Sequence, residues 1–389
     1  MSEYRIQVHD SPGEVPAAQW DELLDQQGHP TPFMRHAYLS ALEASGSAVP
    51  DTGWEPRFIT LWTGDRLQAG LAMYLKSHSY GEYVFDWAWA DAHHRHRLPY
   101  YPKALAAIPF TPVPGTRLLA RDDAARQALA QAFGEFAQES GLSSAHLLFM
   151  DEADRAALTA QGWLMRDGLQ FHWTQDAAQP AQDFDELVGR MHRHKRKNIS
   201  QERRRVAESG VVFSVHEADD IDEGLWDFFY RCYCTTYAAH HSTPYLTRDF
   251  FRRMARDMPH HWVLFVARRQ GTPIAASLLA VDRSRGWAWG RYWGAIEQVA
   301  CLHFEACYYQ PLAWCIRQGF TRFEGGAQGE HKMARGLLPV KTTSAHWIRD
   351  PRFEAAIADF LAREGTGLEA YADELRDRSP FKQASLKPR

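Results

Sequence analysis

Between Gly325 and Gly336 the chain reads Gly-Gly-Ala-Gln-Gly-Glu-His-Lys-Met-Ala-Arg-Gly. A carboxylate (Glu330), an imidazole (His331), an ammonium (Lys332) and a guanidinium (Arg335) therefore fall within six residues. The glycines around them let backbone come close to a ligand. An imidazole or carboxylate in such a loop can take a proton from an attacking amine, and the cations can hold phosphate. The plain alternative is a glycine-rich surface loop with solvated charges.

Other segments carry groups of comparable chemistry. The pattern predicts a helix over Leu302–Gln318 with His303, Glu305, Tyr308 and Tyr309 in its first turns, where the helix dipole favours an anion. Pro311 should kink it, because its ring displaces the hydrogen bond to Cys307. In Trp287–Gly294, strand alternation puts Trp287, Trp289, Arg291 and Trp293 on one face and Ala288, Gly290, Tyr292 and Gly294 on the other. The second, nearly bare face suits either a close-lying extended ligand or a packed helix. Residues 190–205 hold Arg190, Arg193, Lys195, Arg196, Lys197, Arg203, Arg204 and Arg205 against the single acid Glu202. That surface fits a phosphate-rich partner or a solvated helix face. Asp86, Tyr101 and Lys103 gather polar groups in the first half. His93, His94 and His96, like Cys232 and Cys234 with His240 and His241, raise a metal question, but neither spacing makes a metal site. We expect no metal.

These groups need a scaffold. The length of 389 residues implies two domains, and 45% apolar content suffices for packed cores. With 44 basic and 48 acidic residues no global field draws the chain to nucleic acid or membrane. No signal-type segment or long apolar run occurs and the five cysteines lack a disulfide framework, so a cytoplasmic location is expected. Strands are predicted over 57–62, 67–75, 83–89 and 146–150, with a helix over 122–140 between the last two. After a linker at 176–183 comes a helix over 184–209, then strands over 211–216, 262–268, 274–281 and 286–294, with helices over 224–237 and 248–258. The Gly64-Asp65 and Gln270-Gly271 turns sit at matching places in the two halves, so an internal duplication is expected. The expected domains are 1–175, 176–350 with the site, and a helical extension over 351–389 packing back on the first.

Several runs together resemble one family: Tyr100-Tyr101-Pro102-Lys103, Gln170-Phe171-His172-Trp173, Lys195-Arg196-Lys197-Asn198-Ile199, Gly290–Gly294, Leu302–Glu305 with Cys307-Tyr308-Tyr309, and Gly326–Lys332. The family is the FemAB-like predicted N-acyltransferases of the GNAT superfamily, associated with peptidoglycan biosynthesis or recognition. The resemblance implies an α/β fold of tandem GNAT-like domains, each a mixed, mostly antiparallel sheet flanked by helices. It implies transfer of an acyl or aminoacyl group from an acyl-CoA, another acyl-thioester or an aminoacyl-tRNA to a small-molecule or peptide amine. In that reading Glu330 or His331 is the base, with Glu305 or His303 as second choice. Arg291, Lys332, Arg335, Lys195, Arg196 and Lys197 would hold the donor, with tRNA a further partner. Tyr292, Trp293, Tyr309, Gln328, Asp86, Tyr101 and Lys103 would meet the acceptor. One departure concerns the pyrophosphate-gripping pattern of GNAT enzymes: Ile296 follows Arg291-Tyr292-Trp293-Gly294-Ala295 where a small residue is expected. A binding protein on the same scaffold, recognising a cell-wall precursor or nucleic acid without catalysis, is the rival reading.

Overall fold

The structure is a computed structural model that describes residues 4–326 and 329–382. In chain order its strands are β1 (Arg5–His9), β2 (Trp54–Thr63), β3 (Arg66–Lys76), β4 (Lys103–Ala106), β5 (Leu119–Ala120), β6 (Ser144–Met150), β7 (Leu164–Thr174), β8 (Val211–Glu217), β9 (Trp262–Arg269), β10 (Thr272–Asp282), β11 (Trp287–Ala295), β12 (Arg322–Glu324) and β13 (Leu338–Ile348). The helices are α1 (Ala17–Asp25), α2 (His36–Ala44), α3 (Trp87–Arg95), α4 (Asp123–Glu139), α5 (Glu152–Ala160), α6 (Phe184–Gly189), α7 (Arg193–Glu208), α8 (Glu223–Ala239), α9 (Arg248–Asp257), α10 (Leu302–Phe304), α11 (Gln310–Arg317) and α12 (Pro351–Asp377). Two compact units result. One comprises 1–168, 245–250 and 341–369, the other 169–244, 251–340 and 370–389, so neither is one consecutive stretch of chain.

The two units repeat one topology. In the first, β1, β2, β3 and β4 pair antiparallel in order, β4 then pairs parallel with β6, and β6 pairs antiparallel with β13. In the second, β8, β9, β10 and β11 pair antiparallel, β11 pairs parallel with β12, and β12 pairs antiparallel with β7. The fold is thus mixed α/β, mostly antiparallel and flanked by helices, and the expected duplication is visible in the order and sense of the strands. The two hairpins with matching turns are β2–β3 and β9–β10.

Each core forms where the apolar residues of the strands meet those of the helices. In the first unit Ile59, Leu61, Leu71 and Met73 of the sheet pack with Leu129 and Phe133 of α4 and Leu158 of α5. Asp122 caps α4 by accepting from the Ala125 N–H at 2.8 Å. In the second, Val263, Phe265, Leu279 and Val281 pack with Leu312, Trp314 and Cys315 of α11 and with Phe184 and Leu187 of α6. Burying such side chains contributes about 1.5–3 kcal/mol each.

Two expected elements came out differently. The predicted strand over 83–89 is a loop leading into α3 at Trp87. Its aromatic composition suits a strand, but Asp86 is drawn under the surface by the Lys103 ammonium. The predicted helix over 184–209 breaks at Arg190–His192, because Met191 pairs as an isolated bridge with Phe381. The flanking bonds are His192 N–H to the Pro380 carbonyl at 2.9 Å and Lys382 N–H to the Arg190 carbonyl at 3.0 Å. A pairing across that sequence distance outweighs local helix propensity.

Beneath α3 lies a buried polar network. Lys103 donates to Ser79 and Glu82, both at 2.8 Å, and to Asp86, while Tyr100 donates to Asp86 at 2.6 Å. Burial pushes Glu82 up to about 7 against the pull of Lys103. Burial also pushes Asp86 up, but the charge and hydrogen bond of Lys103 prevail and hold it well below the usual range. Nearby, His146 Nδ1 and His346 Nδ1 lie 2.8 Å apart, so one ring donates and the other accepts. Burial, reinforced by the Arg166 charge, lowers His346 to about 3, and burial with the Lys103 charge lowers His146 well below its ordinary range.

A depressed imidazole binds its proton in the unfolded chain before it does so in the fold. Stability is therefore lost as pH falls below about 6.5. Glu82, whose folded value is raised, acts in the opposite sense between about 4.5 and 7, so the test compares variant with wild type. His346→Asn should flatten the pH dependence of urea-unfolding stability between pH 6 and 4 by up to about 1.4 kcal/mol per pH unit. An unchanged slope would show that His346 titrates alike in both states.

Candidate functional site

In the second unit the parallel ladder between β11 and β12 runs only from Trp287/Arg322 to Trp289/Glu324, and β11 continues to Ala295. The two strands part beyond Gly290. In the gap lies a cavity of about 130 Å³ lined by Ser277, Leu278, Leu279, Gly290, Arg291, Tyr292, Trp293, His303, Cys307, Tyr308 and Gly325.

A β-bulge shapes that gap. The β10–β11 register shifts between Leu278, opposite Tyr292, and Leu279, opposite Gly290, leaving Arg291 as the extra residue. Beyond it the alternation inverts, which corrects the regular facing expected from the sequence. Tyr292 turns to α8 and packs edge-on to Tyr233 with centroids 5.2 Å apart, whereas Trp293 turns to the other side and meets His303 at 5.4 Å. Gly294 also faces α8, where a Cβ would lie 1.7 Å from the Cys232 carbonyl oxygen. Of the two uses considered for the bare face, helix packing is the one realised at Gly294.

The helix on the far side of the cavity is deformed by its proline. From Glu305 to Tyr309 it is a π-turn, with the Gln310 N–H bonded to the Glu305 carbonyl. The Ala306 carbonyl then has no donor at Pro311, which lacks an N–H. Ser277 Oγ, buried on β10, supplies the bond at 2.6 Å. The widened turn sets Cys307 and Tyr308 on the cavity wall.

The glycine loop closes over the same wall. Residues Glu330–Arg335 form a 3₁₀ turn entered through Gly329 at φ 111° and left through Gly336 at φ 93°. Lys332 is buried and donates to the Gly326 carbonyl at 2.9 Å. Burial lowers it to about 8. Arg335 donates twice to Glu202 at 2.9 Å and once to the His331 carbonyl at 2.6 Å, with its guanidinium 3.4 Å above the Phe304 ring. The backbone of His331 is thereby pinned. Its Nε2 lies 3.1 Å from Tyr308 Oη. Burial, then the Arg335 and Lys332 charges, lower His331, and burial with the neighbouring His331, Arg335 and Lys332 lowers His303 to about 4. Both rings are therefore neutral near pH 7. Burial raises the Tyr308 phenol, which keeps its proton.

His331 and Glu330 line a second, larger cavity of about 650 Å³ with His192, His194, Lys195, Met333, Ala334, Asp377, Arg378 and Ser379. Glu330 accepts from Tyr371 and, at 3.3 Å, from Arg378.

The expected site residues fall into separate groups. Glu330, His331, His303, Arg291, Tyr292, Trp293 and Lys195 line one or other of these cavities. Glu305 does not. It points into a separate cleft beside Arg203 and accepts from Gln310 at 2.7 Å, because residues two apart on a helix face different ways. Tyr309 donates to Glu202 and is buried. Lys332 and Arg335, expected to hold donor phosphates, instead brace the loop, since their charged heads are spent on Gly326, His331 and Glu202. Arg196 caps the carbonyls of Gly189 and Met191, at 3.3 and 3.1 Å, while Lys197 is exposed. Asp86 and Lys103 belong to the buried network of the first unit, where Tyr101 shares Ser79 at 2.8 Å. Gln328 lies outside the described residues. Tyr308 was named in the sequence only as a helix residue; its pairing with His331 across the chain has no local signal.

The sequence matches the FemAB-like family, described as peptidoglycan biosynthesis/recognition, over residues 11–383. The chain belongs to that family. No curated protein matches it. Among solved structures it is similar to FemX, at 12% identity and a TM-score of 0.56 over 91% of this chain and 100% of that one. It is also similar to L-PGS from Bacillus licheniformis, at 11% identity and a TM-score of 0.54 over 90% and 96%. At such identities the likeness establishes the fold.

Gly294→Ala should force α8 off β11 and destabilise the protein by about 2–3 kcal/mol in urea unfolding. A variant as stable as wild type would mean that the α8 backbone is not seated on Gly294.

Proposed function

We propose that the chain is an N-acyltransferase whose donor carbonyl enters the gap between β11 and β12, with Tyr308 and His331 forming the proton path. The observation that carries this is the early end of the β11–β12 ladder, with Tyr308 on the wall of the gap and His331 behind it, within hydrogen-bond distance of Tyr308 and opening on the neighbouring cavity. Strand backbone exposed there could donate to the oxygen that gathers charge as the tetrahedral intermediate forms. The acceptor nitrogen attacks the carbonyl carbon, the bond from carbon to the leaving oxygen or sulfur breaks, and the amine proton passes through the Tyr308 hydroxyl to His331. The leaving group takes a proton in return. His331 is preferred to Glu330, whose carboxylate is engaged by Tyr371 and Arg378, and to His303, whose lowered pKa makes it a weak base.

An aminoacyl ester on tRNA is the favoured donor, with an acyl-thioester such as acyl-CoA the alternative. Gly294 is occupied by α8 and so is unsuited to gripping a pyrophosphate. On α7, Arg193, Lys195, Lys197 and Arg205 have no ion-pair partner among the described residues, whereas Arg203 and Arg204 are paired with Glu305 and Glu208. The family's description supports a peptide amine of a cell-wall precursor as acceptor. A purely binding role would leave the neutral His331–Tyr308 pair without employment.

With four free cations, tRNA affinity should fall steeply with salt, at a log–log slope of about −3, and Lys197→Ala with Arg205→Ala should flatten it by about 1.5. Coenzyme A affinity should show little salt dependence. Tight coenzyme A binding without any tRNA binding would reverse the donor assignment. In single-turnover transfer, His331→Ala and Tyr308→Phe should each slow the step about a hundredfold. Full activity in both variants would remove this proton path.

A further inference from the structure

The repeated topology isolates one segment that the two units do not share. β10 and β11 are joined by residues 283–286, but their counterparts β3 and β4 are joined by residues 77–102, which include α3. This insertion is inside out. Its polar residues Ser79, Glu82 and Asp86 are buried, while the large apolar residues between and beside them face solvent: Tyr80 at 58%, Tyr83 at 37%, Phe85 at 52% and Trp87 at 41% exposure, with Leu98 at 37%. The cause is beneath them. Lys103 on β4 binds Ser79, Glu82 and Asp86, and Lys76 on β3 donates to the Tyr80 carbonyl at 3.4 Å, so the polar side chains are held inward and the aromatic ones turn out. Tyr80 and Trp87 gather edge-to-face with centroids 5.1 Å apart. α3 continues the arrangement, with Trp89 and His93 buried and Trp87, Asp91, His94 and Arg95 outward.

An exposed apolar cluster of this kind marks an interaction surface. What covers it is indicated by the exposed run His94-Arg95-His96-Arg97 that adjoins it, in which Arg95 is bridged to Asp91 at 2.8 Å. Aromatic residues beside basic ones match the interfacial zone of an anionic bilayer, where rings sit at headgroup depth and arginines meet lipid phosphates. Among the described residues no helix is long and apolar enough to cross a membrane, so the contact would be peripheral. We propose that residues 80–98 dock the first unit onto an anionic lipid surface. This does not depend on the transfer reaction assigned to the second unit.

The test is co-sedimentation of the full chain with vesicles of phosphatidylcholine alone or with 30% phosphatidylglycerol. Binding should favour the anionic vesicles. Phe85→Ser combined with Trp87→Ser should weaken it at least tenfold, and Arg97→Gln about fivefold, with circular dichroism of each variant showing that the fold is kept. Absence of binding, equal binding to both vesicles, or binding that ignores both variants would overturn the proposal. So would a concentration-dependent doubling of mass abolished by the Phe85/Trp87 variant, which would make a second copy of the chain the occupant.

Discussion

The parting of β11 from β12 is the constraint on which the site depends. A strand that loses its neighbour exposes backbone groups that must be satisfied by something else, and here the exposed stretch adjoins a small cavity rather than another strand. Three features hold the gap open. The bulge at Arg291 redirects β11, Gly294 lets α8 press against it from behind, and the π-turn before Pro311 sets the opposite wall. Each depends on one residue that a generic strand or helix would not contain.

Around this gap the charges of the glycine loop divide their labour. Arg335 and Lys332, which look like ligand-binding cations in one dimension, spend their hydrogen bonds on Glu202, His331 and Gly326. Burial first, and their charges behind it, keep His331 and His303 neutral. A neutral imidazole beside a protonated phenol is the state needed to receive a proton. The loop is therefore built to fix the protonation and place of one histidine.

Much of the fold was legible in the sequence because it rests on periods of two and 3.6 and on turn residues. The hairpins around Gly64-Asp65 and Gln270-Gly271, the helix capped at Asp122, and the duplication all follow from local pattern. What escaped depends on partners distant in sequence. The break at 190–192 needs Phe381, and the inward turn of Asp86 needs Lys103. The site was half legible. The glycine loop announced His331, but its partner Tyr308 sits in a helix whose rotation is set by Pro311 and by Ser277 across the sheet. The bulge reversed the facing of Tyr292 and Trp293, since one extra residue exchanges the two faces of a strand. Glu305 and His303 are close in the sequence, yet residues two apart on a helix lie on different faces, so the two reach different cavities.

The central claim is that the donor occupies the gap beside β11. Amide hydrogen exchange with and without a non-hydrolysable aminoacyl-RNA minihelix, and in parallel with an acyl-CoA analogue, reports on it directly. The account predicts that one of the two slows exchange at residues 290–295 and 303–308. Protection confined to the first unit, or to the cleft beside Glu305, would contradict it.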